Sequence, residues 1–168
     1  MKTNTLRLTR VAAVAALYTA LTYLLAPISY GPLQFRVAEC LVILAVFGWK
    51  YVFALTIGCF FANIPHGPID MALGTFATFA AGVMSLGLRK IYFAVFPPIV
   101  VNALIVPVIF LTIPDITTPY WLNVLTVGAG QAAVILTMGV ALYFAIKKNR
   151  ALRLLIVEEK KPSMVNNP

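Results

Sequence analysis

Residues 30–40 read YGPLQFRVAEC, and they set Arg36 and Glu39 three positions apart at the head of an apolar run. The rest of the chain makes that placement costly. Of its 168 residues, 61% are hydrophobic and only 11% are charged. A soluble domain of this length cannot hide so much apolar surface, so the bilayer is the solvent. The length leaves no room for an additional soluble catalytic domain of ordinary size. Two charges at the start of a membrane segment therefore need a reason.

Apolar runs cover 9–26, 37–48, 51–63, 69–88, 91–112 and 120–146. The second and third are short, each about 20 Å of α-helix against a hydrocarbon core of roughly 30 Å. Joining them into one kinked helix would give five spans. Charge favours six. With six, Lys2, Arg7, Arg10, Lys50, Arg89, Lys90, Lys147, Lys148, Arg150, Arg153, Lys160 and Lys161 share one side, twelve of the 13 cations. That is the positive-inside pattern. The expected fold is all-α, a bundle of six transmembrane helices with both termini cytoplasmic. Residues 1–149 form the membrane domain and 150–168 a cytoplasmic tail, its KKNRALRLLIVEEKK segment extending the sixth helix or lying along the inner surface. The basic, apolar N-terminus resembles a signal peptide, but its run is long and lacks a convincing cleavage site, so it reads as a retained helix.

The thirteenth cation, Arg36, lies on the outer side with Glu39, Asp70 and Asp115. The connection APISYGPLQF is apolar and holds Pro27, Gly31 and Pro32, which suits a segment folding back into the membrane. A charged residue near the bilayer centre costs about 2.5–3.5 kcal/mol and persists where it faces a partner or a wet cavity. The costly set is Gln34, Arg36, Glu39, Asn63, His66, Asp70, Asn102 and Gln131, all in the outer half or near the midplane. Gln131, for example, lies about 16 Å below Tyr120 at helical rise. Each has a plainer role open to it. Arg36 and Glu39 can pair along one helix face, Asp70 can cap a helix, and Asn102 and Gln131 can bond neighbouring helices. His66, in a loop, reads as a surface residue. Their shared depth on separate helices points instead to a pocket open to the outside. Tyr30, Phe35, Phe60, Phe61, Tyr120 and Trp121 fall at the same level and would serve either an interfacial belt or a flat ligand. Carboxylates, amides and an arginine fork suit a polar heterocycle with an exocyclic amine.

Other functions find no support. The basic residues form no stripe interleaved with aromatics, so no nucleic-acid partner is expected. There is no GxxxxGK[ST] loop, and Cys40 and Cys59 have no metal-ligand spacing. The three serines have no base nearby in sequence. We expect no enzyme, no metal and no cofactor. A transporter of this kind uses an ion gradient or a borrowed motor. In the first helix Ala12, Ala16 and Ala20 recur every four residues, a small-residue ridge that lets another helix approach closely in lipid, either within the bundle or on a partner.

These residues resemble the S components of energy-coupling factor (ECF) transporters, small subunits that capture vitamins and dock on an energising module. In particular, ISYGPLQFRVAEC, ALTIGCFFANIPHGPIDMALGTFATFAAG, FPPIVVNALIV and YWLNVLTVGAGQ resemble the QueT family over residues 8–146. The resemblance implies a multi-pass protein of the bacterial cell membrane that captures a queuosine precursor, a 7-deazaguanine, from outside. It implies as partners an ECF transmembrane coupling subunit and two cytoplasmic ATPases, with Gln34, Arg36, Glu39, Asn63, Asp70, Asn102 and Gln131 as binding residues. An S component for another vitamin, an autonomous ion-coupled carrier and a structural membrane subunit remain alternatives. One departure stands out: the family usually carries a glutamate where this chain has Gln131. A neutral amide suits an uncharged deazaguanine better than an aminomethyl one. Titration of Gln131→Glu protein should therefore shift preference toward the amine ligand over the nitrile; unchanged relative affinities would discard this reading.

Overall fold

Gly48 decides how the apolar stretch 37–63 is divided. Its φ of 142° and ψ of 164° lie where glycine alone is at ease, and two helices meet there in place of one kinked span. This holds in the computed structural model, which describes residues 2–30, 34–88, 90–113 and 117–157, with side chains from residue 5 onward. Gly31, Pro32, Arg89, Asp115, Lys160, Lys161 and the remainder of the tail lie outside the described residues.

The described chain is helical throughout. Helix α1 runs Lys2–Leu24, starting seven residues before the apolar run, and a single turn, α2, follows at Ala26–Ser29. The expected second helix is a 3-10 helix, Val37–Phe47. At about 2.0 Å per residue its eleven residues reach about 22 Å, further than the same residues would as α-helix. Ala38 to Ala45 are all buried. A helix apolar on every side belongs in a core, and this one packs against α1, α3, α4 and the last long helix.

Helix α3 (Trp49–Asn63) and helix α4 (Pro68–Leu88) follow, joined by a 3-10 turn at Ile64–His66. The next run is interrupted at Val95 into α5 (Ile91–Ala94) and α6 (Phe96–Phe110). Pro97 follows the first residue of α6, where a missing N–H costs nothing, while Pro107 lies inside the helix. The last long helix is α7 (Tyr120–Val134), a π-helical turn at Ile135–Gly139, and α8 (Val140–Lys148). Among the described residues, three stretches are long and apolar enough to cross a membrane: Pro68–Leu88, Ile91–Phe110 and Tyr120–Lys148. Large apolar side chains such as Phe53, Phe76, Leu104, Leu125 and Phe144 face outward, as a lipid-facing surface requires.

A short C-terminal helix folds back on the bundle. Asn149 caps α9 (Arg150–Ile156), its side-chain oxygen accepting from Ala151 N at 2.9 Å and Leu152 N at 3.3 Å. The cap turns the chain away from α8, so the tail does not simply extend the sixth helix. Arg10 then donates to the Leu154 carbonyl at 3.3 Å, and the Tyr51 hydroxyl to that of Ile156 at 2.7 Å. The first half of α1, the start of α3 and the segment Leu154–Ile156 thus meet.

Helix α1 buries Ala15, Tyr18 and Thr22 and leaves Ala12, Ala16 and Ala20 exposed. It approaches α3 closely at Gly58, where a Cβ would lie 2.8 Å from the Ala15 carbonyl oxygen and 2.9 Å from the Tyr18 Cβ. The Thr19 hydroxyl donates to the Gly58 carbonyl across the same contact at 3.0 Å. Gly58→Val should therefore destabilise the protein by about 1–3 kcal/mol through overpacking, read as a lower melting temperature in detergent. An unchanged transition would show that the two helices do not approach so closely.

Candidate functional site

The site begins where the backbone is strained. Gln34 has φ 45°, a left-handed conformation unfavourable for a residue with a long side chain and most often tolerated at functional positions. The Arg36 N–H closes this turn on the Gln34 carbonyl at 2.7 Å. Arg36 then caps the 3-10 helix in an extended conformation, so the turn and the helix start drive both charged side chains inward. Arg36 is 4% exposed and Glu39 is 1% exposed.

Sequence spacing offered Arg36 as the partner of Glu39. The structure gives Glu39 a different one: Oε1 accepts from the Tyr18 hydroxyl of α1 at 2.5 Å. Asn102 approaches the same carboxylate from α6, although its Nδ2 completes no hydrogen bond. Arg36 stays within electrostatic reach of Glu39, Tyr18 and Asp70. Its guanidinium contacts the Gln34 Oε1 at 3.4 Å and lies 5.1 Å from the centre of the Tyr30 ring, a cation–π arrangement. Tyr30 also stacks on exposed His66, ring centres 3.6 Å apart, and donates to the Ala62 carbonyl at 2.6 Å. Burial pushes its phenol up to about 12, so it remains a donor at neutral pH. On either side of the undescribed residues 31–33, Ser29 and Gln34 are buried, as is Arg36 just beyond them.

Asn63 and Asp70 form a second part of the constellation. Asn63 ends α3 and is fully buried; its Nδ2 donates to the Asp70 carbonyl at 3.3 Å and meets Cys59 Sγ at 3.4 Å. Gly74 makes room for it, since a Cβ there would collide with the Asn63 amide. Asp70 is half-buried in the first turn of α4, where a carboxylate suits the helix dipole; it stands inside the helix and is not its cap. Gln131 is buried on α7 at 2% exposure. Gly139, further along the same long helix and beyond the start of the π-helical turn, faces the Cys40 backbone. No hydrogen bond among the described residues joins Gln131 to the other site residues.

Buried polar atoms nearly always have partners, and leaving one bare costs about 1–3 kcal/mol. Among the described residues eight side-chain atoms have none: Ser29 Oγ, Thr75 Oγ1 and Thr78 Oγ1, and five amide or charged groups, Arg36 Nε, Glu39 Oε2, Asn63 Oδ1, Asn102 Nδ2 and Gln131 Oε1. The five amide and charged groups each belong to a residue singled out from the sequence, and they come from four separate segments. Two are donors and three are acceptors, a set suited to a ligand offering both N–H and carbonyl groups.

Tyr18 was not legible as a site residue. Its signal was faint: it lies two positions past Ala16, about 200° around α1 and so on the face opposite the alanine ridge. The aromatic walls are thinner than the sequence implied, because Phe60, Phe61, Tyr120 and Trp121 are exposed. Phe61 instead borders an open apolar groove of about 630 Å³ between α1 and α3, lined also by Ala12, Ala16, Ala20, Tyr23 and Ile57. The alanine ridge is therefore not consumed by packing inside the bundle.

An apolar exterior around buried charged and amide side chains marks a helical membrane protein. The chain belongs to the QueT transporter family, whose family profile matches residues 8–148. It is 43% identical over 89 residues to the "Queuosine precursor transporter QueT" of Lactococcus lactis subsp. cremoris (strain MG1363), across 51% of this chain and 52% of that protein. The chain thus spans about half the length of the curated relative it matches. No solved structure matches it.

Proposed function

We propose that this chain is the membrane-embedded substrate-capture subunit of an ECF-type importer, and that its substrate is a queuosine precursor, a 7-deazaguanine. The observation that carries this reading is the group of unpartnered buried donors and acceptors on Arg36, Glu39, Asn63, Asn102 and Gln131. A guanine-like edge offers adjacent N–H donors to the Glu39 carboxylate. Its carbonyl accepts from Asn102 Nδ2 or Arg36 Nε, while Gln34, Tyr30 and Asp70 hold Arg36 by contact and charge. Family membership and the name of the Lactococcus relative support the same substrate class.

On this reading six helices cross a bacterial cell membrane with both termini in the cytoplasm. The three long apolar stretches among the described residues, and the contacts of Arg10 and Tyr51 with the Leu154–Ile156 segment, support that topology. The polar cluster opens outward and captures ligand there. The alanine-lined groove receives the ECF transmembrane coupling subunit, small residues permitting close helix approach. Two cytoplasmic ATPases supply the energy, and reorientation against the coupling subunit releases ligand inward.

Direct binding to purified protein tests the substrate. Among deazaguanines, guanine and unrelated vitamins, a 7-deazaguanine should raise the melting temperature most, and a larger shift from an unrelated vitamin would replace this reading with that ligand. Glu39→Gln should weaken deazaguanine binding by about 1.5–3 kcal/mol, the range for a hydrogen bond to a charged group; a wild-type dissociation constant would remove Glu39 from the site. Ala16→Trp should leave ligand binding intact while abolishing ATP-dependent uptake with the energising subunits present. Full uptake by that variant would exclude the groove as the docking surface.

A further inference from the structure

Glu39 reaches the interior with its two oxygens in different circumstances. Oε1 accepts from Tyr18, whereas Oε2 has no partner. A carboxylate on a flexible side chain can rotate and exchange its oxygens, so something must decide which one is left free. Tyr18 is well placed to do so. Its side chain is completely buried, and the backbone of α3 closes over it at Gly58. The Thr19 hydroxyl ties the adjacent turn of α1 to the Gly58 carbonyl, and the Thr22 hydroxyl bonds the Tyr18 carbonyl at 2.9 Å. The phenol therefore approaches Glu39 from a fixed direction and has little freedom to leave it.

We propose that Tyr18 is a positioning residue for substrate recognition: by holding Glu39 Oε1 it aims Oε2, beside the Asn102 amide, at the ligand. This rests on the functional reading above and adds to it a residue on α1, a helix that contributes none of the other polar side chains of the site. Tyr18 acts through Glu39 and need not touch the ligand. The phenolic hydroxyl is the part that matters, and the ring serves packing.

Tyr18→Phe keeps the ring and removes the hydroxyl, so the test is a double-mutant cycle on purified protein with 7-cyano-7-deazaguanine as probe. Tyr18→Phe alone should weaken binding about tenfold, the scale of one hydrogen bond to a charged group. In a Glu39→Gln background the same change should have less than a twofold effect, because residues acting as one unit are not additive. Wild-type affinity in Tyr18→Phe, or an equal loss in both backgrounds, would overturn the proposal, the second result marking Tyr18 as a packing residue only. A readout independent of affinity is infrared spectroscopy with carbon-13-labelled glutamate. Loss of the phenol should shift the Glu39 carboxylate band, and an unmoved band would also overturn the proposal. If wild-type protein binds no deazaguanine, the functional reading itself fails, and the Tyr18 proposal with it.

Discussion

An ionisable carboxylate at the centre of an apolar bundle is the constraint around which this structure is arranged. Taking such a group out of water carries a desolvation penalty of several kcal/mol unless hydrogen bonds and opposite charge offset it. Glu39 is met by the Tyr18 hydroxyl, by the nearby Arg36 charge and by the approach of Asn102. These groups come from α1, from the turn before the 3-10 helix and from α6. None of them is optional while Glu39 stays buried, so the packing of three separate segments is tied to one side chain.

The 3-10 helix is the means by which the bundle brings that carboxylate inside. Apolar on all sides, it occupies the core with the other helices around it, and its longer rise stretches eleven residues further than α-helical winding would. Arg36 stands just before the helix in an extended conformation and Glu39 lies in its first turn, and their main contacts diverge. Glu39 turns to α1, and Arg36 turns to Gln34 and Tyr30. The strained Gln34 backbone and the Gly48 break bracket this element, one at each end.

Helix α1 serves two environments. One face carries Tyr18 into the interior; the other exposes Ala12, Ala16 and Ala20 along an apolar groove. Small residues keep that outer face smooth, while Gly58 of α3 allows the inner face to seat closely. The same economy of side-chain volume appears at Gly74, which admits the Asn63 amide at the junction of α3 and α4.

Residue chemistry alone identified the membrane class, the helical runs and most of the interior polar residues, because transfer cost belongs to each side chain wherever it sits. It also separated 37–48 from 51–63, since the positive-inside bias is read along the chain. Winding and pairing were beyond it. The 3-10 geometry of Val37–Phe47 and the π-helical turn at Ile135–Gly139 are compromises among packed neighbours, with no local residue code, whereas the interruption at Val95 follows from Pro97 and Pro98, which cannot donate back to the preceding turn. The exchange of Arg36 for Tyr18 as the partner of Glu39 joins residues 21 positions apart. Only tertiary packing brings such residues together, and it also turned Phe60, Phe61, Tyr120 and Trp121 outward. Sequence could name the groups that need partners; the arrangement of helices chose which partners they received.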